Sequence, residues 1–114
     1  MVLSVSGRTF TKEVLESTTP VLVDFWAPWC GLCRAIEPLL LQFQSASTEP
    51  IKLVRINADE NLKLANDYRL KTLPTLLFFD RGQLIYRIDS CNGREEIRAG
   101  LRDLLEQVMV PYSA

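Results

Sequence analysis

Two cysteines separated by two residues, Cys30-Gly31-Leu32-Cys33, carry the strongest chemical signal in this chain. They stand between an apolar run, Val21-Leu22-Val23-Asp24-Phe25-Trp26, and a segment with helical apolar spacing. That puts Cys30 at a helix N-terminus, where free backbone N–H groups and the positive end of the helix dipole stabilise a thiolate. The thiolate is the nucleophile of disulfide exchange. Cys33 lies one turn further in and can reach the Cys30 sulfur. The spacing therefore predicts that Cys30 attacks a disulfide and that Cys33 resolves the mixed disulfide. Gly31 keeps the turn open and leaves room for a substrate chain. Leu32 has a backbone N–H in the first helical turn, which is expected to point at the Cys30 sulfur and favour its thiolate.

Other chemistry fits a C-x-x-C pair less well. Half of a zinc site, or part of an iron–sulfur cluster, would need further ligands, and only Cys91 and carboxylates remain. Two inert core cysteines, or a redox domain that keeps its cysteines only for binding, are further readings. The strand–motif–helix context favours redox activity.

Asp24 interrupts an apolar strand just before the motif. A buried carboxylate without partners is costly, so its pKa is expected to rise. One reading is a buried Asp satisfied by hydrogen bonds. The other is a proton acceptor for Cys33, the natural base in a chain with no histidine. Arg55, midway along the following strand, is placed to reach towards it. Trp26 and Trp29 flank the approach to Cys30. Packing accounts for both, and an aromatic near an exposed sulfur also offers a partner chain a flat surface. Pro74 alone reads as a strand-start proline. Cys91 reads as a small packing residue or as a third thiol open to mixed-disulfide formation.

The elements that position these residues follow from periodicity. Residues 2–5 form a short strand, and residues 8–17 a short helix carrying Phe10 and Val14. Residues 21–26 form a strand buried on both faces. A helix follows with Ile36, Leu39, Leu40 and Phe43 on one stripe, and Pro38 inside it predicts a kink. Residues 51–57 form the next strand. Asp59 is expected to cap a short helix over 60–68. Pro74 opens a strand over 75–79, and Asp80-Arg81-Gly82 turns it into a hairpin partner at 83–88. Asn92 and Glu95 resemble a capping box before a last helix carrying Ile97, Leu101, Leu104, Leu105 and Val108. The order β-α-β-α-β-α-β-β-α predicts an α/β fold with a mixed sheet and helices on both faces.

Composition sets the outer bounds. The chain has 114 residues, 47% apolar and 24% charged, the profile of one globular domain spanning 1–114. Its net charge of −1 lacks the basic footprint of a nucleic-acid binder. The absence of histidine excludes His-based nucleophile pairs and His-ligated metal sites. No apolar run approaches the ~20 residues of a membrane span. The first residues lack a basic start followed by an apolar block, so an intracellular, cytoplasmic protein is expected.

The segment Phe25-Trp26-Ala27-Pro28-Trp29-Cys30-Gly31-Leu32-Cys33-Arg34 resembles the active-site segment of the thioredoxin family. Asp24 matches that family's buried Asp, Pro38 its helix-kink proline, and Asn57-Ala58-Asp59 its N-x-D turn. Leu73-Pro74-Thr75 matches its cis-proline segment, and Gly82 its hairpin glycine. The resemblance implies the thioredoxin fold with a central mixed five-stranded sheet, and general protein-disulfide reductase activity. It implies a redox-active Cys30–Cys33 disulfide, a cis Pro74 facing the cysteines, and reduction by a thioredoxin reductase. It also implies a substrate surface of Trp29, Gly31, Leu32, Leu73, Pro74 and Ser90. No cofactor is implied, and a monomer is expected. The chain departs from the family in having Leu32 for proline, Arg55 for lysine, and Ser90-Cys91 around a usual glycine; Thr72 replaces another small residue. The Leu32 variant is similar to atypical members from cyanobacteria. A rival to the enzyme is a binding module of the same fold with idle cysteines.

Overall fold

A computed structural model describes residues 2–89 and 93–109. Five strands form one sheet: β1 (Val2–Ser4), β2 (Val21–Trp26), β3 (Lys52–Asn57), β4 (Thr75–Asp80) and β5 (Gln83–Asp89). Their spatial order is β1-β3-β2-β4-β5. β3 pairs parallel with both β1 and β2, whereas β4 pairs antiparallel with β2 and β5. This is the thioredoxin fold with the mixed five-stranded sheet that the family resemblance implied.

Alternation along the central strands divides the core in two. Leu22, Leu53, Leu76 and Phe78 face one side with Ile36, Leu39, Leu40, Phe43, Ile97, Leu101 and Leu104. Val21, Val23, Phe25, Val54, Ile56, Leu77 and Phe79 face the other with Phe10 and Val14. Side chains on successive strand residues point to opposite faces, so β2 and β4 can bury both sides only if almost every residue is apolar. Each large apolar side chain so buried contributes about 1.5–3 kcal/mol. Asp24 has the parity of Leu22, and Arg55 that of Leu53. The register sets Asp24 opposite Arg55.

The helices are α1 (Gly31–Ala35), α2 (Glu37–Ala46), α3 (Leu62–Asp67) and α4 (Arg94–Met109). The kink expected at Pro38 is a full break at Ile36. Pro38 has no N–H to give the Arg34 carbonyl, and the Leu39 and Leu40 N–H groups both go to the Ile36 carbonyl instead. The helix expected over 8–17 is one wide turn, Thr11–Leu15, closed by the Glu16 N–H on the Thr11 carbonyl at 2.8 Å.

Asp59 is not a helix cap. The Asn57 side chain accepts from the Asp59 N–H at 2.9 Å and starts a tight turn, Ala58–Glu60. α3 begins after Asn61, whose side chain ties the Gly7 N–H instead. The capping box proposed at Asn92 lies outside the described residues, as do Ser90 and Cys91. No helix among the described residues is long and apolar enough to cross a membrane.

Candidate active site

β2 ends at Trp26, and the chain turns through Ala27-Pro28-Trp29 into α1. Cys30 is the N-cap of α1, with extended backbone angles. Its sulfur accepts the Cys33 N–H at 3.1 Å. An N-cap side chain reaches the N–H two or three positions on, and here the third is used. The donor to the Cys30 sulfur is therefore Cys33, not Leu32 as the sequence reading expected. A proline at position 32 would leave that bond intact.

Cys30 and Cys33 are joined as a disulfide, with Cα atoms 5.3 Å apart. Cys33 is fully buried, and Cys30 keeps 5% of its surface exposed. The two sulfurs pack with Ala27 against Trp26, Leu32 and Leu73. The Leu73–Pro74 peptide bond is cis. Thr75 is fully buried, and its hydroxyl donates to the Thr72 carbonyl at 2.7 Å.

A methyl group added at Gly31 would meet nothing within 4 Å, and its φ is not positive. The turn therefore does not demand glycine. What Gly31 leaves is open space beside Cys30. Trp29 is 67% exposed, the most exposed large apolar side chain among the described residues. Its indole N–H donates to Asp59 Oδ2 at 2.9 Å, which fixes the ring beside the entrance. The Arg34 guanidinium donates to the Pro28 carbonyl at 2.6 Å and ties the loop to α1.

Asp24, on β2 ahead of this loop, is fully buried. Arg55 Nε lies 3.4 Å from its Oδ2, and its Oδ1 has no hydrogen-bond partner among the described residues. Burial pushes the carboxyl from its ordinary 3.8 up to about 7; the nearby Arg55 charge opposes that rise and Glu37 adds to it. The Arg55 guanidinium also stands 4.4 Å over the Trp26 ring. Such a contact is worth about 1 kcal/mol at a partly buried site. Sequence reasoning missed the roles of Asp59 and Glu37 here. Glu37 shares the segment of the motif, but its reach to Arg55 depends on the strand register.

A cysteine that caps a helix and keeps a little exposure, disulfide-bonded to a fully buried cysteine one turn in, together with a buried carboxyl on the preceding strand, defines a dithiol–disulfide exchange site. The family model described as "Thioredoxin" matches residues 1–103. Thioredoxin 1 of Synechococcus elongatus is 44% identical over 90 residues, covering 79% of this chain and 81% of that one. Thioredoxin 1 of Nostoc sp. is 46% identical over 81 residues, covering 71% and 76%. A chloroplastic M-type thioredoxin of Chlamydomonas reinhardtii is 42% identical over 80 residues, covering 70% and 57%. The chain belongs to the thioredoxin family and is a protein-disulfide oxidoreductase with Cys30 and Cys33 as its redox pair. Membership implies disulfide-bearing protein targets and a reductase.

Proposed function

We propose that the pair works in the reducing direction with fixed roles. The Cys30 thiolate attacks one sulfur of a target disulfide. A Cys30–target bond forms, and the other target sulfur leaves as a thiolate that takes a proton from water. Cys33 then gives its proton to ionised Asp24, and its thiolate attacks the Cys30 sulfur. The Cys30–Cys33 disulfide closes, and the second target sulfur leaves as a thiolate that takes a proton from water. The target gains two electrons and the pair loses two, which a thioredoxin reductase restores. The observation that carries this reading is the asymmetry of the pair. Cys30 caps α1 and keeps 5% of its surface exposed, whereas Cys33 lies one turn in and is fully buried.

Trp29, Gly31, Leu32, Leu73 and Pro74 form the target-docking surface in this reading; Ser90, outside the described residues, is assigned to it by the family resemblance alone. The packing of Leu32 and Leu73 against the cysteines and the exposure of Trp29 support it. Residues 1–114 act as one domain, a cytoplasmic monomer without nucleic-acid or membrane partners. Leu32 makes it an atypical member of a cyanobacterial type, and the likeness to the Synechococcus and Nostoc proteins supports that.

Two measurements test the roles. In the reduced protein near neutral pH, iodoacetamide alkylates Cys30 well before Cys33; the reverse order would exchange the two assignments. Cys33→Ser, passed through a cell lysate, retains proteins by a bond that dithiothreitol cleaves, and Cys30→Ser retains none. A wild-type protein that cannot turn over a disulfide-bearing test protein with dithiothreitol as donor would be a binding module instead.

A further inference from the structure

One cation in this site serves two carboxylates. Arg55 Nε lies 3.4 Å from Asp24 Oδ2, and Arg55 Nη1 lies 4.0 Å from Glu37 Oε2. The face of the same guanidinium lies over Trp26. The two carboxylates are solvated very differently, for the Asp24 side chain is 0% exposed and that of Glu37 43%. Glu37 is the first residue of α2, directly after the break at Ile36 that Pro38 enforces. The break thus fixes where Glu37 starts.

We propose that Glu37 is a positioning residue: it holds one arm of Arg55 out towards solvent and so limits how far Arg55 counters the charge of buried Asp24. A guanidinium is planar and forked, so fixing Nη1 and the ring face also fixes the direction of Nε. At 3.4 Å the Nε contact is long for an N–H···O bond, whose usual length is about 2.9–3.0 Å. Arg55 therefore has room to close on Asp24 once Glu37 lets go. Among the described residues, the charges that act on Asp24 are those of Arg55 from β3 and Glu37 from α2. Its β4 neighbours, Thr75 and Leu76, carry no charge. The inference rests on the reading that Asp24 accepts the Cys33 proton, because only then does the balance around Arg55 reach the thiol chemistry.

The test is a carbon-13 NMR titration of the Asp24 carboxyl in wild type, Glu37→Gln, Arg55→Lys and the double variant. In Glu37→Gln the midpoint falls by about half a pH unit, the scale set by one partly exposed charge. In the Arg55→Lys background the same substitution moves it less, since an ammonium has no second arm to release. An unchanged midpoint in Glu37→Gln overturns the proposal. So does an equal shift in both backgrounds, which would reduce Glu37 to a distant field. The pH profile of the Cys33 step, measured on the same proteins, separates the two readings. A profile that follows the carboxyl midpoint supports both. A profile that stays put while the midpoint moves overturns Asp24 as the proton acceptor, while Glu37 still governs Arg55.

Discussion

Asp24→Asn makes the protein more stable at pH 8 and slower in its resolving step. The native Asp24 carboxyl ionises near 7, against an ordinary value of 3.8. Between those values the folded protein holds a proton that the unfolded chain has released. Stability therefore falls as pH rises from about 4 through about 7, and is flat above. At about 1.4 kcal/mol per pH unit, the full loss is on the order of 4 kcal/mol. Asparagine is neutral throughout and escapes that loss. The opposing effect is that Arg55 loses an ionised partner. It keeps Glu37, the Trp26 face and 20% exposure of its side chain, so that cost is small. The expected gain is roughly 3 kcal/mol at pH 8, shrinking to near zero by about pH 4. Urea unfolding of both proteins across this range measures it. A difference that stays constant with pH would show that Asp24 ionises normally in the fold. The resolving step slows about tenfold at pH 7, less than the hundredfold typical of a lost general base, since water also takes a thiol proton.

The strands and the cysteine motif were readable from sequence because each is a local pattern. Residues 21–26 announce a two-faced buried strand by their lack of polar residues, and Asp24 stands out against them for the same reason. Cys30 at a helix start follows from the strand–helix junction alone. What sequence could not supply was register and reach. Sequence puts Arg55 on the strand after Asp24, and the parallel β2–β3 pairing sets the two opposite each other. Asp59 is a favoured capping residue just ahead of a helical pattern, so local sequence points to it as the cap. Asn57, two residues earlier, takes that role and frees Asp59 for Trp29, thirty residues away. Leu32 and Cys33 both offer an N–H in the first turn of α1, and sequence alone does not choose between them. Cap geometry chose the next N–H along. Each of these misses concerns a choice among near neighbours, settled by tertiary contacts that periodicity does not encode.

Gly82→Ala unfolds the protein more readily than any conservative surface change should. Arg81 and Gly82 form a two-residue loop between the paired Asp80 and Gln83, with φ values of +53° and +82°. Both positive angles are those of the hairpin turn whose twist matches the flanking strands. A side chain in the left-handed region costs about 1–2 kcal/mol. At Gly82 a second cost is added, because a methyl group would stand 2.6 Å from the Leu15 carbonyl oxygen. That oxygen is backbone, at the end of the wide turn that carries fully buried Val14, so moving it disturbs the core. The combined loss is about 3 kcal/mol, or a fall in Tm of roughly 10–15 °C. Arg81→Gly is the control. It removes a strained residue and adds chain entropy to the unfolded state, and these cancel to within about 0.5 kcal/mol. The turn follows Phe79 and Asp80, and Phe79 pairs with Val21 at the end of β2 remote from the cysteine loop. Disulfide turnover per folded molecule is therefore unchanged in Gly82→Ala below its transition. Thermal unfolding checks the first expectation. A loss under 1 kcal/mol would mean that the hairpin does not rest against Leu15, and a fall in turnover of the folded variant would mean that the turn is coupled to the dithiol site.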